Sequence, residues 1–441
     1  MPPRPDPTRR LSLVALALLV AGCGSVAPSP TQTASDAPTS EPSESVGASA
    51  SEQPTRGPAS DLGLLLRTLE GTHPEPFHAT TRAAFMAALE QYEANLPSMT
   101  PAESAVELMR IWATLATERD GHQFALPTGE ADRILPIRVY EFEGELWITD
   151  ALPPHEGLVG SRIVAIGETP AEGVMALVEP LVPRDGPATV AAFRPILLLR
   201  TVVLEGLGVV EDGAGPIEIA TEAPDGEDAT ATLEPISADE HSDWAGPFGL
   251  HTLPLDAEVT YLADAEPFAV HRLDDGRTLY LRYRQVAPPS TDEAEALIGA
   301  GGVDRLILDL RQNPGGNNTT SGPLLRLVQS FAADHPGATF VLTDRVTFSA
   351  AANLATEIEG STDAIFMGEP MGGGLNFWDD VSFVLLRTLP IPMRMSVSTR
   401  YWQMAEPDDP RLTIEPDDAF PVTIGDYLAR RDPVLEAALA R

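Results

Sequence analysis

The pattern that most constrains this fold is the alternation of short apolar strands with helices in the last third of the chain. Strands are predicted at residues 277–283, 305–310, 339–343 and 364–367, and helices at 291–300 and 350–358. The strand at 305–310 is almost continuously apolar, which is typical of a strand covered on both faces. The alternation predicts an α/β core over residues 266–441, with a mostly parallel sheet and helices on both sides.

Two regions precede this core. Residues 61–131 predict a helical domain, because Phe85, Leu89, Tyr92 and Leu96 fall on one helix face. A capping box, Thr100-Pro101-Ala102-Glu103, starts the next helix. Residues 132–265 are predicted to form a β-rich region. Strand-type composition continues through 183–265. Within it, the strand and helix of residues 160–178 resemble part of a PDZ-like module, although an ordinary strand–turn–helix explains the same pattern.

The N-terminus has the features of a targeting segment. Three arginines precede an apolar run at residues 11–21, which is shorter than the ~20 residues of a membrane-spanning helix and has the length of a signal-peptide core. It ends in Leu-Val-Ala-Gly-Cys at 19–23, which resembles the lipobox of bacterial lipoproteins. The resemblance implies a signal peptide at 1–22 and a lipid on Cys23; the alternative is a buried free thiol. Residues 23–60, rich in Ser, Thr and Pro, predict a disordered tether.

Charge and cysteine content exclude several classes of function. The formal net charge is −36, and all 29 basic residues are arginines. This balance excludes nucleic acid as a partner, since phosphates require a basic surface, and leaves a lipid anchor as the only predicted membrane contact. A single cysteine allows neither an internal disulfide nor a multi-thiolate zinc site.

Three motifs carry candidate chemistry. The first is the glycine-rich turn at 309–317, where Gly315 and Gly316 suit an oxyanion hole, although Asn-Pro-Gly-Gly also makes a plain turn. The second is Ser349, followed by Ala350, at a strand-to-helix junction; an ordinary helix N-cap is the alternative. The third is the turn Asp120-Gly121-His122, where a solvated surface histidine is the alternative.

The order and spacing of these motifs resemble the C-terminal processing serine peptidases, which include the tail-specific proteases, the tricorn core protease and the interphotoreceptor retinoid-binding proteins. The loop Gly-Glu-Pro-Met-Gly-Gly at 368–373 and the segment Arg-Asp-Pro-Val-Leu at 431–435 extend the match. The resemblance implies a multidomain α/β fold, with an N-terminal helical bundle and a ClpP/crotonase-like peptidase core.

The resemblance also implies roles for these residues. The chain has no lysine, so the Ser–Lys dyad of one branch is impossible and His122 is predicted to activate Ser349. Glu406 is the predicted orienting carboxylate by spacing, with Asp408 behind it. The predicted oxyanion donors are Gly315 or Gly316 together with Ala350. Surrounding acidic residues are expected to raise the pKa of the base.

No cofactor and no metal are predicted. His73 and His78 flank Pro74-Glu75-Pro76, which cannot place both rings on one helix face, and no His-Glu-x-x-His motif occurs.

The leading hypothesis is an extracytoplasmic, lipid-anchored serine endopeptidase or C-terminal processing peptidase that hydrolyses polypeptide substrates. The first alternative is a catalytically silent ligand-binding or interaction lipoprotein on the same fold. The second is a scaffold module on the cell surface. Retention of both Ser349 and His122 favours the enzyme.

Overall fold

The computed structural model describes residues 58–273 and 276–441, in a mixed α/β fold. The predicted signal peptide, Cys23 and nearly all of the predicted tether lie outside these residues. The helices are α1 (Pro58–Thr72), α2 (Arg82–Asn95), α3 (Pro101–Ala113), α4 (Ala171–Val178), α5 (Pro187–Leu198), α6 (Thr201–Gly206), α7 (Ala238–Ala245), α8 (Thr260–Ala263), α9 (Asp292–Gly299), α10 (Gly322–Asp334), α11 (Ala350–Ser361), α12 (Ile424–Leu428) and α13 (Pro433–Ala440). Within the described ranges, no helix combines the length and apolar character needed to cross a bilayer.

The strands form one parallel-type sheet and several antiparallel ones. They are β1 (Ala125–Pro127), β2 (Arg133–Ile134), β3 (Ile137–Phe142), β4 (Glu145–Ala151), β5 (Arg162–Ile166), β6 (Thr169–Pro170), β7 (Ile217–Glu222), β8 (Asp228–Leu233), β9 (Ile236–Ser237), β10 (Phe268–Arg272), β11 (Thr278–Tyr283), β12 (Arg305–Asp309), β13 (Thr339–Thr343), β14 (Ile365–Gly368), β15 (Asn376–Asp379), β16 (Ser382–Leu386), β17 (Met393–Val397), β18 (Arg400–Gln403) and β19 (Asp418–Ala419).

The first helices confirm the sequence prediction. Phe85, Leu89 and Tyr92 are the buried residues of α2. The predicted capping box is present at α3, where Thr100 Oγ1 accepts from the Glu103 N–H and the Glu103 carboxylate accepts from the Thr100 N–H. Two orphan N–H groups are thereby satisfied, which fixes the start of the helix that leads to the candidate base.

The middle region is an antiparallel sheet with helices packed on it. Its strand order is β3-β4-β5-β7-β8, and α4 follows β5 as predicted. The expected strand character of 183–265 is wrong where α5, α6, α7 and α8 form. In α5, residues 189–190 and 192–198 are all buried, including Thr189 and Arg194. Burial on every side leaves no polar face from which a helical period could be recognised.

The C-terminal sheet confirms the predicted α/β core. Its order is β10-β11-β12-β13-β14-β19; β11 to β14 and β19 run parallel, and β10 is antiparallel. Helices α10 and α11 contribute to the hydrophobic core on one side, and α13 contributes to a second cluster that includes Ile307 and Leu342. Helix α10 was not predicted.

Strand pairing fastens the N-terminal region to this core. Strand β1 follows the turn that carries His122, and it pairs antiparallel with β17. Buried side chains of α1 to α3, the middle region and β16–β17 form one continuous hydrophobic cluster. Strand pairing and this shared cluster therefore hold the segment that carries His122 against the part of the chain that carries Ser349.

Candidate active site

Ser349 stands at the sharp turn between β13 and α11. Its φ is 54° and its ψ −127°, a conformation rarely adopted by residues with a side chain and costing of order 1–3 kcal/mol. Its hydroxyl makes no capping hydrogen bond to α11, so the ordinary N-cap interpretation does not apply. The turn lies at the carboxyl end of the parallel sheet, where open α/β sheets bind ligands.

A buried carboxylate shapes the turn before Ser349. Asp344 Oδ1 accepts from the main-chain N–H groups of Val346 and Thr347 at 2.9 and 3.2 Å. Gln312 donates to the same carboxylate through its main-chain N–H and its side-chain amide. Burial raises the pKa of Asp344. Because Gln312 lies within the glycine-rich turn, one carboxylate holds that turn against the nucleophile turn.

Gly315 packs so closely on the nucleophile that no side chain fits there. Its φ is 103°, and a Cβ at this position would lie 2.6 Å from Ser349 Cβ. The Gly315 N–H is already engaged, since it donates to Asn313 Oδ1 at 2.9 Å. The N–H groups of Gly316 and Ala350 donate no hydrogen bond to any described residue. These two are the available oxyanion donors of the predicted set.

His122 is enclosed in the turn after α3. Its ring stacks on Phe348 and Phe377, with centroid distances of 4.4 and 5.4 Å. Its main-chain oxygen accepts from Ser396 Oγ at 2.6 Å. Neither ring nitrogen makes a hydrogen bond of good geometry within the described part of the chain. Aromatic packing therefore sets the orientation of this imidazole.

This enclosure changes the protonation of the candidate base. Burial lowers the pKa of His122 from 6.5 to about 3, and it outweighs the nearby carboxylates Asp380 and Asp120. The expectation that acidic neighbours would raise this pKa is wrong, because the two phenyl rings exclude the water that would solvate an imidazolium. His122 is accordingly a neutral imidazole at pH 7.

Asp379 lies between the serine and the histidine. Ser349 Oγ donates to Asp379 Oδ2 at 3.2 Å, and His122 Nε2 lies 3.4 Å from Asp379 Oδ1. Burial raises the pKa of Asp379 from 3.8 to about 7. One carboxylate thus contacts both the hydroxyl and the imidazole. The direct hydrogen bond predicted between Ser349 and His122 is not made among the described residues, because the Ser349 hydroxyl donates to Asp379 instead.

The sequence placed the orienting carboxylate elsewhere. Glu406 is exposed, and its main-chain oxygen, rather than its carboxylate, accepts from Asn376 Nδ2 at 3.3 Å. Asp408 is also exposed. The structure does not bring either carboxylate to His122. Asp379 lies thirty residues after the serine, at the end of the buried stretch 375–379, and no motif in the sequence marked it.

A second buried carboxylate positions the base turn. Asp185 accepts from the Gly121 N–H at 2.7 Å and from the Gly374 N–H at 3.2 Å. A Cβ at Gly121 would lie 2.8 Å from Asp185 Cγ, so only glycine fits before His122. Burial raises the pKa of Asp185 to about 7.

His73 and His78 meet although they share no helix face. His73 directly follows α1, and the rings stack with centroids 5.5 Å apart. His78 Nε2 lies 3.0 Å from Asp120 Oδ2, and this hydrogen bond raises the pKa of His78. Burial lowers the pKa of His73 to about 4. The three side chains lie close enough together to hold a metal ion, a grouping that sequence analysis missed.

The comparisons with known proteins place the fold. No protein-family model and no curated protein matches this chain in sequence. Among solved structures, a serine-to-alanine mutant of CPAF has a TM-score of 0.55 and 13% identity, covering 85% of this chain and 94% of that one. Mature CPAF complexed with lactacystin has a TM-score of 0.55 and 13% identity, covering 87% and 97%. The photosystem II D1 C-terminal processing protease has a TM-score of 0.39 and 15% identity, covering 83% and 93%. The chain shares the mixed α/β fold of CPAF over nearly the whole of that protein.

Proposed function

We propose that this chain is a serine peptidase in which Ser349 is the nucleophile. The observation that carries the proposal is the strained Ser349 corner, whose hydroxyl donates to a buried carboxylate that also faces His122. A serine used only for packing needs neither this backbone strain nor this pair. The fold shared with CPAF supports the same conclusion.

The proton of Ser349 has a defined destination. As Oγ attacks the peptide carbonyl carbon, its proton passes to Asp379 Oδ2, the group that already accepts its hydrogen bond. A pKa near 7 suits a carboxylate that must accept a proton and later release it at neutral pH. Neutral His122 presents Nε2 to the other oxygen of Asp379, where an N–H would stabilise the carboxylate before the transfer.

The remaining steps use groups of the same two turns. The N–H groups of Gly316 and Ala350 donate to the oxyanion of the tetrahedral intermediate. The proton held by the Asp379–His122 pair goes to the leaving amine as the C–N bond breaks, which leaves an acyl-enzyme on Ser349. Water then attacks the acyl carbon and gives its proton to the same pair. As the C–Oγ bond breaks, the pair returns this proton to Ser349 Oγ and the free acid leaves.

Labelling by a fluorophosphonate probe tests the nucleophile. The wild-type chain should be labelled and should cleave a denatured polypeptide, whereas the Ser349→Ala variant should do neither. Ser398→Ala is the matched control, because Ser398 is a buried serine whose hydroxyl has no hydrogen-bond partner in the described chain. Equal labelling of wild type and Ser349→Ala overturns the proposal, and so does the absence of both labelling and cleavage in the wild type.

We further propose that the enzyme acts at the extracytoplasmic face of a bacterial membrane, where it is anchored by a lipid on Cys23. The lipobox-like segment at 19–23 supports this. An alkyne-labelled fatty acid should be incorporated into the wild type and not into Cys23→Ser. Incorporation that survives Cys23→Ser rules out this anchor.

A further inference from the structure

Three side chains that ligate metals meet behind the base turn. His73 follows α1, His78 lies in the turn before α2, and Asp120 is two residues before His122. One donor atom of each lies within 4.8 Å of the other two. The three come from two segments far apart in sequence, so only the fold assembles them.

The group contains polar atoms that the protein leaves unsatisfied. His73 is 4% exposed and Asp120 is fully buried. His73 Nε2 and Asp120 Oδ1 have no hydrogen-bond partner in the described residues. Leaving such atoms buried and unpaired costs roughly 1–3 kcal/mol each. A bound cation would use both.

The second ring already has the outer hydrogen-bond partner that a metal-ligating histidine needs. His78 Nδ1 lies 2.8 Å from the main-chain oxygen of Glu75. A proton on Nδ1 makes this hydrogen bond, so a metal would take the Nε2 position in place of the proton that Nε2 now donates to Asp120 Oδ2. Metal-ligating histidines commonly have such an outer partner, which fixes the ring and its tautomer.

We propose that His73, His78 and Asp120 bind one divalent transition-metal ion, for which zinc is the fitting probe. Two imidazoles and one carboxylate are a common protein donor set for zinc and leave the fourth tetrahedral position for water. Besides the proton on His78 Nε2, binding requires a change at His73, whose Nδ1 now accepts from the Glu75 N–H at 3.0 Å. Ligation through Nε2 places the proton on Nδ1, so this hydrogen bond must break.

The position of the site indicates a structural role. Trp378 packs on both imidazole rings, with centroids 4.5 and 5.6 Å away, and it directly precedes Asp379. An ion here would tie the segment after α1 to the turn of His122 and to the strand that carries Asp379. It would fix the position of the His122 turn relative to the segment after α1 without contacting Ser349.

Calorimetry with ZnCl2 tests the site independently of peptidase activity. The full chain carries Ser349→Ala, so that it cannot act on itself, and Cys23→Ser, so that no thiol competes; it is purified without a histidine tag. We expect one zinc ion per chain and a rise in Tm. His73→Ala, His78→Gln and Asp120→Asn should each weaken binding by at least about tenfold.

His155→Ala is the matched control, because it also removes one histidine but lies outside the group; it should bind zinc as the parent does. Substitution of Co²⁺ should give visible absorption bands of a four-coordinate ion in the parent and not in His73→Ala. The proposal fails if the parent binds no zinc, or if zinc affinity is unchanged in both His73→Ala and His78→Gln. Neither result bears on Ser349, whose test is covalent labelling.

Discussion

Different interactions hold the two sides of the candidate active site, the nucleophile side at Ser349 and the base side at His122. The nucleophile side is a short stretch whose turn is fixed by the buried carboxylate Asp344, which accepts several hydrogen bonds. On the base side, the His122 ring lies between two phenyl rings and has no hydrogen bond of good geometry. A local hydrogen-bond pattern can be recognised in a sequence, whereas a packing arrangement cannot.

The largest expected effect is the loss of the imidazole. His122→Ala should lower kcat/KM by about 10³–10⁴-fold, as much as the loss of Asp379, because the two groups hold the proton of Ser349 as a pair. Peptide hydrolysis under pseudo-first-order conditions measures this, and His155→Ala should behave as the wild type. Near-full activity of His122→Ala would show that the two sides do not work together.

The next expected effect separates the two candidate carboxylates. Asp379→Asn keeps the shape of the side chain and removes its charge, so kcat/KM should fall by about 10³–10⁴-fold. Glu406→Gln should change it by less than about twofold, because an exposed carboxylate without a site contact contributes little. The reverse pattern would restore Glu406 to the orienting role predicted from its spacing.

The pH profile should show which group titrates. Asp379 must be ionised to accept the proton of Ser349, and its pKa is raised to about 7. Activity should therefore fall as the pH drops below 7, about tenfold per pH unit, and level off above it. Because the pKa of His122 is lowered to about 3, its protonation should not limit activity between pH 5 and 8. A limb near 7 that persists in Asp379→Asn contradicts the assignment.

A methyl group in the glycine-rich turn should disturb the nucleophile side directly. Gly315→Ala places a Cβ 2.6 Å from Ser349 Cβ at a φ of 103°, so Ser349 must move. We expect a loss of stability of about 1–3 kcal/mol and a clear loss of activity. Gly360→Ala is the control, because a Cβ there meets nothing within 4 Å. Denaturation and rate measurements should show its stability and activity unchanged.

The smallest expected effect concerns the link between the sides. Asp185→Asn should lower stability by about 1–3 kcal/mol, since the amide cannot accept both N–H groups that Asp185 now accepts. The pKa of Asp185 is raised from 3.8 to about 7, so the folded state holds the proton that the unfolded state releases. Wild-type stability should therefore decline as the pH rises through this window.

The Asp185→Asn variant lacks this titration. Its free energy of unfolding should therefore lie further below that of the wild type at pH 4 than at pH 8. Urea unfolding at the two pH values measures the difference. A deficit that grows with pH would show that Asp185 is ionised in the folded state.

Features of the fold that depend on near neighbours were predictable. The helix with buried Phe85, Leu89 and Tyr92 and the capping box at Thr100 were readable because their contacts span three or four residues. The parallel strands followed from apolar runs that both faces of the sheet bury. Helices α5 and α6 were missed for the opposite reason, because burial on all sides removes the periodic signal.

The candidate site divides in the same way. The nucleophile, the glycine turn and the base turn could each be found as a motif of a few residues, and the missing lysine excluded one alternative outright. Asp379, the carboxylate beside His122, could not be found in this way, because spacing along the chain does not report distance in space. Glu406 had the spacing, and Asp379 has the contact.

The sequence by itself determined which chemical groups exist and the local turns that display Ser349, Gly315 and His122. Only the tertiary structure decided their environment: a neutral His122, an Asp379 that titrates near 7, and the group of His73, His78 and Asp120. Local turns follow from the conformational preferences of a few adjacent residues. Protonation and side-chain grouping depend on which distant segments exclude water from one another, and the pairing of β1 with β17 sets this between residues some 270 positions apart.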